Sequence, residues 1–175
     1  MMSDEDPCEL ETADAVKPRW VLRRAVRADL DGITALQFAA YAKNRDQLGV
    51  EPLPLLMDYG AALDRLEFWV AEVPADDAEN GAPEELAGVL MLDPADAFTI
   101  ESIAVAPSRA GSGLGTALLQ AAEIRARVLG YPRVCLYTGA PLTHLIAWYG
   151  RHGFEEDRVE TLSDRSIVHM SKRVT

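Results

Sequence analysis

The stretch of this chain richest in chemical possibility is Val105-Ala106-Pro107-Ser108-Arg109-Ala110-Gly111-Ser112-Gly113-Leu114-Gly115-Thr116-Ala117-Leu118-Leu119. An apolar run ends there, three glycines alternate with other residues, and a run of good helix formers follows. The first turn of a helix carries backbone N–H groups that have no partner inside the helix. Its dipole adds partial positive charge at the same end. Glycines remove the Cβ atoms that would block close approach and tolerate unusual backbone angles. The physics predicts an anion cradle suited to a pyrophosphate. The same glycines would also serve a bare, tight strand-to-helix connection.

Two familiar phosphate motifs do not fit. A P-loop needs Lys-Ser or Lys-Thr after its last glycine, and Thr116-Ala117 stands there. A dinucleotide fingerprint needs Gly-x-Gly-x-x-Gly at the first strand of a parallel sheet, whereas this spacing is Gly-x-Gly-x-Gly well inside the chain.

The elements that must position the turn follow from the pattern on either side. Trp20 to Val26 suits a first strand. Asp29 can cap a helix whose apolar residues recur through Leu30, Ile33, Leu36, Phe38, Ala40 and Tyr41. Pro52 and Pro54 interrupt, and a second helix is expected over about Leu55 to Leu66. Strands are expected at Phe68–Val73, Leu86–Leu92 and Phe98–Val105, with a polar loop over residues 74–85. Gly113 to Leu129 reads as a helix stopped by Gly130 and Pro132. Val134–Thr138 is a short strand, Pro141–His152 a helix, and Phe154–Thr161 and Arg165–Lys172 are final strands. The order is β-α-α-β-β-β-α-β-α-β-β. It predicts one α+β domain over residues 18–175: a mixed, mostly antiparallel sheet with one parallel pair and helices on both faces.

The 175 residues suffice for one substantial core. With 28 acidic against 17 basic side chains the net charge is −11, which repels phosphate backbones and excludes nucleic acid as an expected partner. Residues 1–17 hold six of the acids, lack apolar periodicity and are expected to form a flexible acidic tail. That tail does not read as a signal peptide, and no segment approaches a membrane span, so a cytoplasmic protein with no membrane partner is expected. Cys8 and Cys135 are expected as free thiols. His144, His152 and His169 show no metal-ligand spacing, so no metal is expected.

Val-x-Pro-x-x-x-Gly-x-Gly-x-Gly-x-x-Leu-Leu resembles the acetyl-CoA-binding motif of the GNAT acetyltransferase superfamily. Downstream, Trp148-Tyr149-Gly150-Arg151-His152-Gly153-Phe154 is similar to that superfamily's Tyr-x-x-x-Gly-Phe motif, at the expected separation. The element order matches too, over roughly residues 19–173. Gly49-Val50-Glu51-Pro52, Met57-Asp58-Tyr59 and Leu136-Tyr137-Thr138 resemble one bacterial branch whose substrates are mostly unassigned. Two positions depart from the pattern. Ala110 stands where the family usually has Gln or Arg, with Arg109 displaced by one. Leu142 stands where an Asn often contacts the pantetheine arm.

The resemblance implies an N-acetyltransferase that moves an acetyl group from acetyl-CoA to a primary amine of a small molecule or peptide, by direct attack through a tetrahedral intermediate. A protein lysine or N-terminal acceptor, and a non-catalytic acyl-CoA-binding domain, remain open beside it. Implied cofactor-binding residues are Ile103, Ala104, Val105, Arg109, Ala110, Gly111, Ser112, Gly113, Leu114, Gly115, Thr116 and Tyr149. With Ala110 in place, the amides of Gly111, Gly113, Gly115 and Thr116 must carry most of the phosphate binding. The strand ending at Val105 should splay from its parallel neighbour and accept the pantetheine arm like an added strand. A backbone N–H near Ala104 or Val105 is the implied oxyanion donor.

Tyr149 is the implied general acid, a phenol with an ordinary pKa near 10 facing a thiolate leaving group. Glu101 is the candidate general base, acting through water. The acceptor pocket is expected from the first two helices and their loop, with Tyr41, Glu51, Asp58 and Tyr59 as substrate-binding candidates and Met57 beside them. Apolar edge strands near the C-terminus allow a homodimer.

Overall fold

The computed structural model describes residues 20–73 and 86–175. The expected acidic tail and the expected loop over residues 74–85 lie outside the described residues. In chain order the elements are β1 (Val21–Arg24), α1 (Leu30–Leu48), α2 (Tyr59–Ala62), β2 (Glu67–Glu72), β3 (Leu86–Asp93), β4 (Thr99–Val105), α3 (Leu114–Val128), β5 (Arg133–Gly139), α4 (Thr143–Arg151), β6 (Glu155–Thr161) and β7 (Ser166–Arg173). The order of helices and strands is the one the sequence predicts. Seven strands form one sheet in the order β1-β2-β3-β4-β5-β7-β6. Every described neighbouring pair is antiparallel except β4 with β5. This is the mixed α+β sheet expected.

The second helix is a correction. The expected span of about 55–66 holds only a 3-10 turn at Leu53–Leu56 and a single α turn at Tyr59–Ala62. Pro52 and Pro54 lack the N–H groups a longer helix would use. Asp58 then caps the short turn, accepting from Ala61 N at 3.0 Å. The chain must be extended by Glu67, because β2 buries Phe68, Val70 and Ala71. Only one helical turn fits between those demands.

Two apolar clusters sit on the two faces of the sheet. One gathers Ile33 and Leu36 of α1, Tyr59 and Ala62 of α2, and Phe68, Val70, Val89, Met91 and Ala104 of the strands. The other gathers Leu114, Leu118, Leu119, Ala122 and Ala126 of α3 with Leu90, Leu92, Ile100, Val134 and Leu136. Ile146, Trp148 and Tyr149 of α4 pack on this second cluster. Alternation along β3 and β4 sends neighbouring side chains to opposite clusters, as a sheet covered on both faces requires. At Gly88 a Cβ would stand 3.0 Å from Leu114 and 3.1 Å from Leu118, so its absence lets the start of α3 rest on β3.

α3 is also held by charge. Arg125 donates to both carboxylate oxygens of Glu67 on β2, at 2.9 and 2.7 Å. These bonds outweigh burial and hold the Glu67 carboxyl below its ordinary range. The stabilisation is present above the ordinary carboxylate pKa and is lost as pH falls through the lowered folded-state value. Glu67→Gln should cost about 1–3 kcal/mol at pH 7. Chemical denaturation should show the variant and parent converging in acid. A difference that stays constant with pH would remove the charge from the account.

Candidate active site

The parallel pair β4–β5 is short. Only Thr99↔Cys135 and Ile100↔Leu136 pair, and beyond Ile100 the two strands part. On its other edge β4 stays paired with β3 as far as Val105. Ala106 N donates to Ala87 O at 2.9 Å. Because backbone polar groups alternate along a strand, Ala104 shares the edge facing β3, while Ile103 and Val105 turn theirs into the gap. Val105 rather than Ala104 is therefore the residue whose N–H is aimed where the splay opens.

A cavity of about 500 Å³ occupies the gap. Its walls are Ile100 to Val105 of β4, Tyr137 to Gly139 of β5, Tyr41 and Asn44 of α1, the loop residues Val50 and Pro52 to Pro54, Leu142, His144, Trp148, Tyr149 and Arg151 of or beside α4, and Arg165 to Ile167 at the start of β7.

Glu101 owes its position to an irregularity. Met91 pairs with Ser102 and Leu92 with Ile100, which leaves Glu101 as the extra residue of a β-bulge. Its carboxylate accepts from the Tyr137 hydroxyl at 2.8 Å. Burial pushes the Glu101 pKa above the ordinary carboxylate range, and the Tyr137 bond offsets part of that. The register Thr99↔Cys135 carries Tyr137 level with Glu101, which is why the two meet.

Tyr149 stands on α4 with its ring edge-on to Trp148 at 4.9 Å and to Phe154 at 5.8 Å. No hydrogen bond to its hydroxyl is found among the described residues. Burial raises its pKa, so the phenol keeps its proton across the neutral range.

At the start of α3 the backbone donors can be counted one by one. Ala110 N bonds Pro107 O, Ser112 N bonds Arg109 O, Leu114 N bonds Ser112 Oγ, and Ala117 N bonds Gly113 O. Among the described residues, the amides of Gly111, Gly113, Gly115 and Thr116 have no acceptor. Gly111 and Gly113 hold φ of 74° and 89°, the left-handed region that disfavours a side chain. Gly115 is helical, and a Cβ there would make only ordinary 3.8 Å contacts with Trp148 and Val105. Packing within the protein does not demand that third glycine; an approaching ligand would. Arg109 and Ala110 are exposed on the approach to this turn.

The other expected residues fall into two groups. Tyr41 lines the cavity and bonds Ser102 at 3.0 Å. Glu51, Asp58 and Tyr59 are not brought into the lining. Glu51 pairs with Arg45 at 2.9 Å, Asp58 caps α2, and the buried Tyr59 donates to Pro54 O at 2.7 Å. Each has been captured by a local polar partner. His144 lines the cavity, whereas His152 bonds Trp148 O at 2.8 Å through Nδ1 and meets Thr116 Oγ1 at 3.3 Å through Nε2. With Nδ1–H on the carbonyl, neutral His152 accepts from Thr116. Cys135 is a free thiol, and burial pushes its pKa up, away from a reactive thiolate. Sequence reading gave Tyr137 only as part of a motif, without a role, and did not single out Ser102, Gln37 or Arg165. The one available signal was a phenol inside an otherwise apolar buried strand.

The architecture is thus a mixed sheet with one splayed parallel pair and a glycine-led helix starting beside the splay. The acetyltransferase (GNAT) family profile matches residues 34–154, and the chain belongs to that family. Members of the family use acetyl-CoA as co-substrate. No curated protein matches the chain in sequence. Among solved structures the fold is similar to that of the ribosomal-protein-S18-alanine N-acetyltransferase from Escherichia coli, at 20% identity and a TM-score of 0.68 over 89% of this chain and 94% of that one. A nourseothricin acetyltransferase is similar at 22% identity and 0.65, over 90% of this chain and 100% of that one. A variant spermidine N-acetyltransferase from Vibrio cholerae follows at 16% and 0.65, over 89% and 94%. These likenesses establish the fold.

The site fits a coenzyme A ester on its own geometry: four uncommitted amides, space that a Cβ would fill, and an open strand edge. Gly113→Pro removes one amide and forbids the positive φ. Titration calorimetry should show coenzyme A affinity reduced beyond detection in that variant, with its circular dichroism unchanged. Retained affinity would contradict the cradle outright.

Proposed function

We propose that the protein transfers an acetyl group from acetyl-CoA to a primary amine of a small molecule or peptide. The observation that carries this reading is the cavity at the β4–β5 gap. It holds Glu101 and Tyr149 together and ends at Val105, beside the turn with the four free amides. The acceptor end is walled by the loop after α1 and by the β6–β7 turn. Arg165 ties these together by donating to Glu51 O at 2.6 Å and to both carboxylate oxygens of Asp164. A walled end supports a small acceptor over a folded protein surface.

Acetyl-CoA, when bound, supplies an activated thioester. The amides of Gly111, Gly113, Gly115 and Thr116 hold its pyrophosphate, and the open edge of β4 takes its amide arm as a sheet takes another strand. Val105 N–H donates to the acyl oxygen as that atom gains charge. Glu101 takes a proton from the amine, and its raised pKa makes it a stronger base than an exposed carboxylate. Tyr149, protonated and unspent, gives its proton to the departing sulfur. The ribosomal-alanine, nourseothricin and spermidine enzymes each act, by name, on an acceptor of their own, so the shared fold leaves the acceptor to the cavity wall.

An assay of free thiol release from acetyl-CoA against a panel of amines, amino acids and peptides tests the reading. Tyr149→Phe should lower turnover by about 10²–10⁴ with little change in coenzyme A affinity. Unaltered turnover would remove Tyr149 from the mechanism. In the parent the acid limb of kcat/KM should lie above the ordinary carboxylate value of about 4.3. Glu101→Gln should flatten that limb, and an unchanged profile would place the base elsewhere.

A further inference from the structure

The hydrogen-bond polarity of the acceptor end can be fixed from one sulfur atom. Met91 is buried, and a thioether accepts hydrogen bonds but cannot donate them. Gln37, also fully buried, places Nε2 3.0 Å from Met91 Sδ. The amide nitrogen must face the sulfur, so Oε1 faces the other way, toward Ser102. Ser102 Oγ donates to that oxygen at 3.0 Å. With its single proton spent, Ser102 can only accept from Tyr41, 3.0 Å away. Tyr41 has therefore spent its own proton. Across the gap, Tyr137 has spent its proton on Glu101.

All three of Tyr41, Tyr137 and Glu101 line the cavity. What they present to it is lone pairs: two phenolic oxygens and a carboxylate. Burial raises the pKa of both phenols, so they stay neutral and keep the proton directions just described. The cations Arg151 and Arg165 belong to other walls of the cavity, and Arg165 is engaged by Asp164 and Glu51.

We infer that Tyr41, Tyr137 and Glu101 form a specificity pocket for a primary ammonium, whose three N–H groups meet three oxygens that can only accept. The inference rests on the reading that an amine is the acceptor, and it adds that the amine binds in its charged form. Proton loss to Glu101 then leaves the neutral nitrogen lone pair, and the second proton, lost after attack, returns to the Tyr149 oxygen that has protonated the sulfur. The pocket disfavours a hydroxyl acceptor, which brings one proton, and a quaternary ammonium, which brings none. Tyr41 and Tyr137 are specificity-determining residues, and the buried chain Met91–Gln37–Ser102 orients Tyr41.

The test is calorimetry on coenzyme A-saturated protein at pH 7.5, with hexylammonium, hexyltrimethylammonium and hexanol as probes. Hexylammonium should bind at least about fivefold more tightly than either other probe, the worth of one hydrogen bond. Tyr41→Phe and Tyr137→Phe should each erase most of that preference without changing coenzyme A affinity. Ser102→Ala is the directional control. It keeps the Tyr41 hydroxyl but frees its proton, and it should narrow the ratio of hexylammonium to hexanol affinity. Equal binding of hexyltrimethylammonium, binding of none of the probes, or an unchanged ratio in all three variants overturns the inference. If amines are acetylated while the preference is absent, the inference alone fails. If coenzyme A does not bind, the proposed function fails first.

Discussion

The parting of β4 from β5 after Ile100 is the constraint on which the remaining site geometry depends. A continuous parallel pair would satisfy every backbone group on both strands and leave no cavity. Here the pairing stops after two residues, and β4 keeps its bonds to β3 while one edge is left open. Buried backbone groups without partners are costly, so such an edge persists only where water or a ligand can reach it. The surrounding elements make the gap tolerable by anchoring each strand on its far side. β3 holds β4, and β7 pairs with β5 along its whole length from Arg133 to Gly139.

The bulge at Glu101 is the second consequence of that geometry. It sits just past the last paired residue of β4, where the strand is free to take an extra residue on the β3 side. Bulges re-aim side chains. This one sets a carboxylate in the cavity beside Tyr137, while the other acids among the described residues are largely exposed or paired. The overall acidity of the sequence therefore explains solubility better than it explains the site, whose lining has one carboxylate and two arginines among largely aromatic and apolar residues.

How much of this was legible in the sequence divides along range. The free amides at Gly111, Gly113, Gly115 and Thr116 were legible because a strand, alternating glycines and a helix fix backbone direction over a few residues. The element order and the mixed sheet were legible for the same reason. The second helix was overdrawn because apolar residues between 55 and 66 look periodic, yet Pro52, Pro54 and the early start of β2 leave room for one turn. The acceptor wall was the least legible part. Glu51 and Asp58 looked available in sequence, but Arg45 and the Ala61 amide hold them. Tyr137 meets Glu101 across 36 positions and Ser102 meets Gln37 across 65, through sheet register and helix packing that no local pattern encodes.

The two ends of the cavity are held by different means, and that difference bears on how the fold can change its acceptor. The end proposed to hold the phosphates is made of main chain, where side-chain identity matters mainly by its absence, and His152 ties α4 to Thr116 at its rim. The acceptor end is made of side chains whose proton directions trace back to Met91 on the opposite face of β3 from α3. Substitution at the first end removes an amide or forbids a backbone angle, which acts on the scaffold itself. Substitution at the second end re-aims a proton and changes which acceptor is welcome while the main-chain scaffold stays intact. A sheet that keeps one end in its backbone and the other in its side chains can therefore hold the donor constant and vary the acceptor.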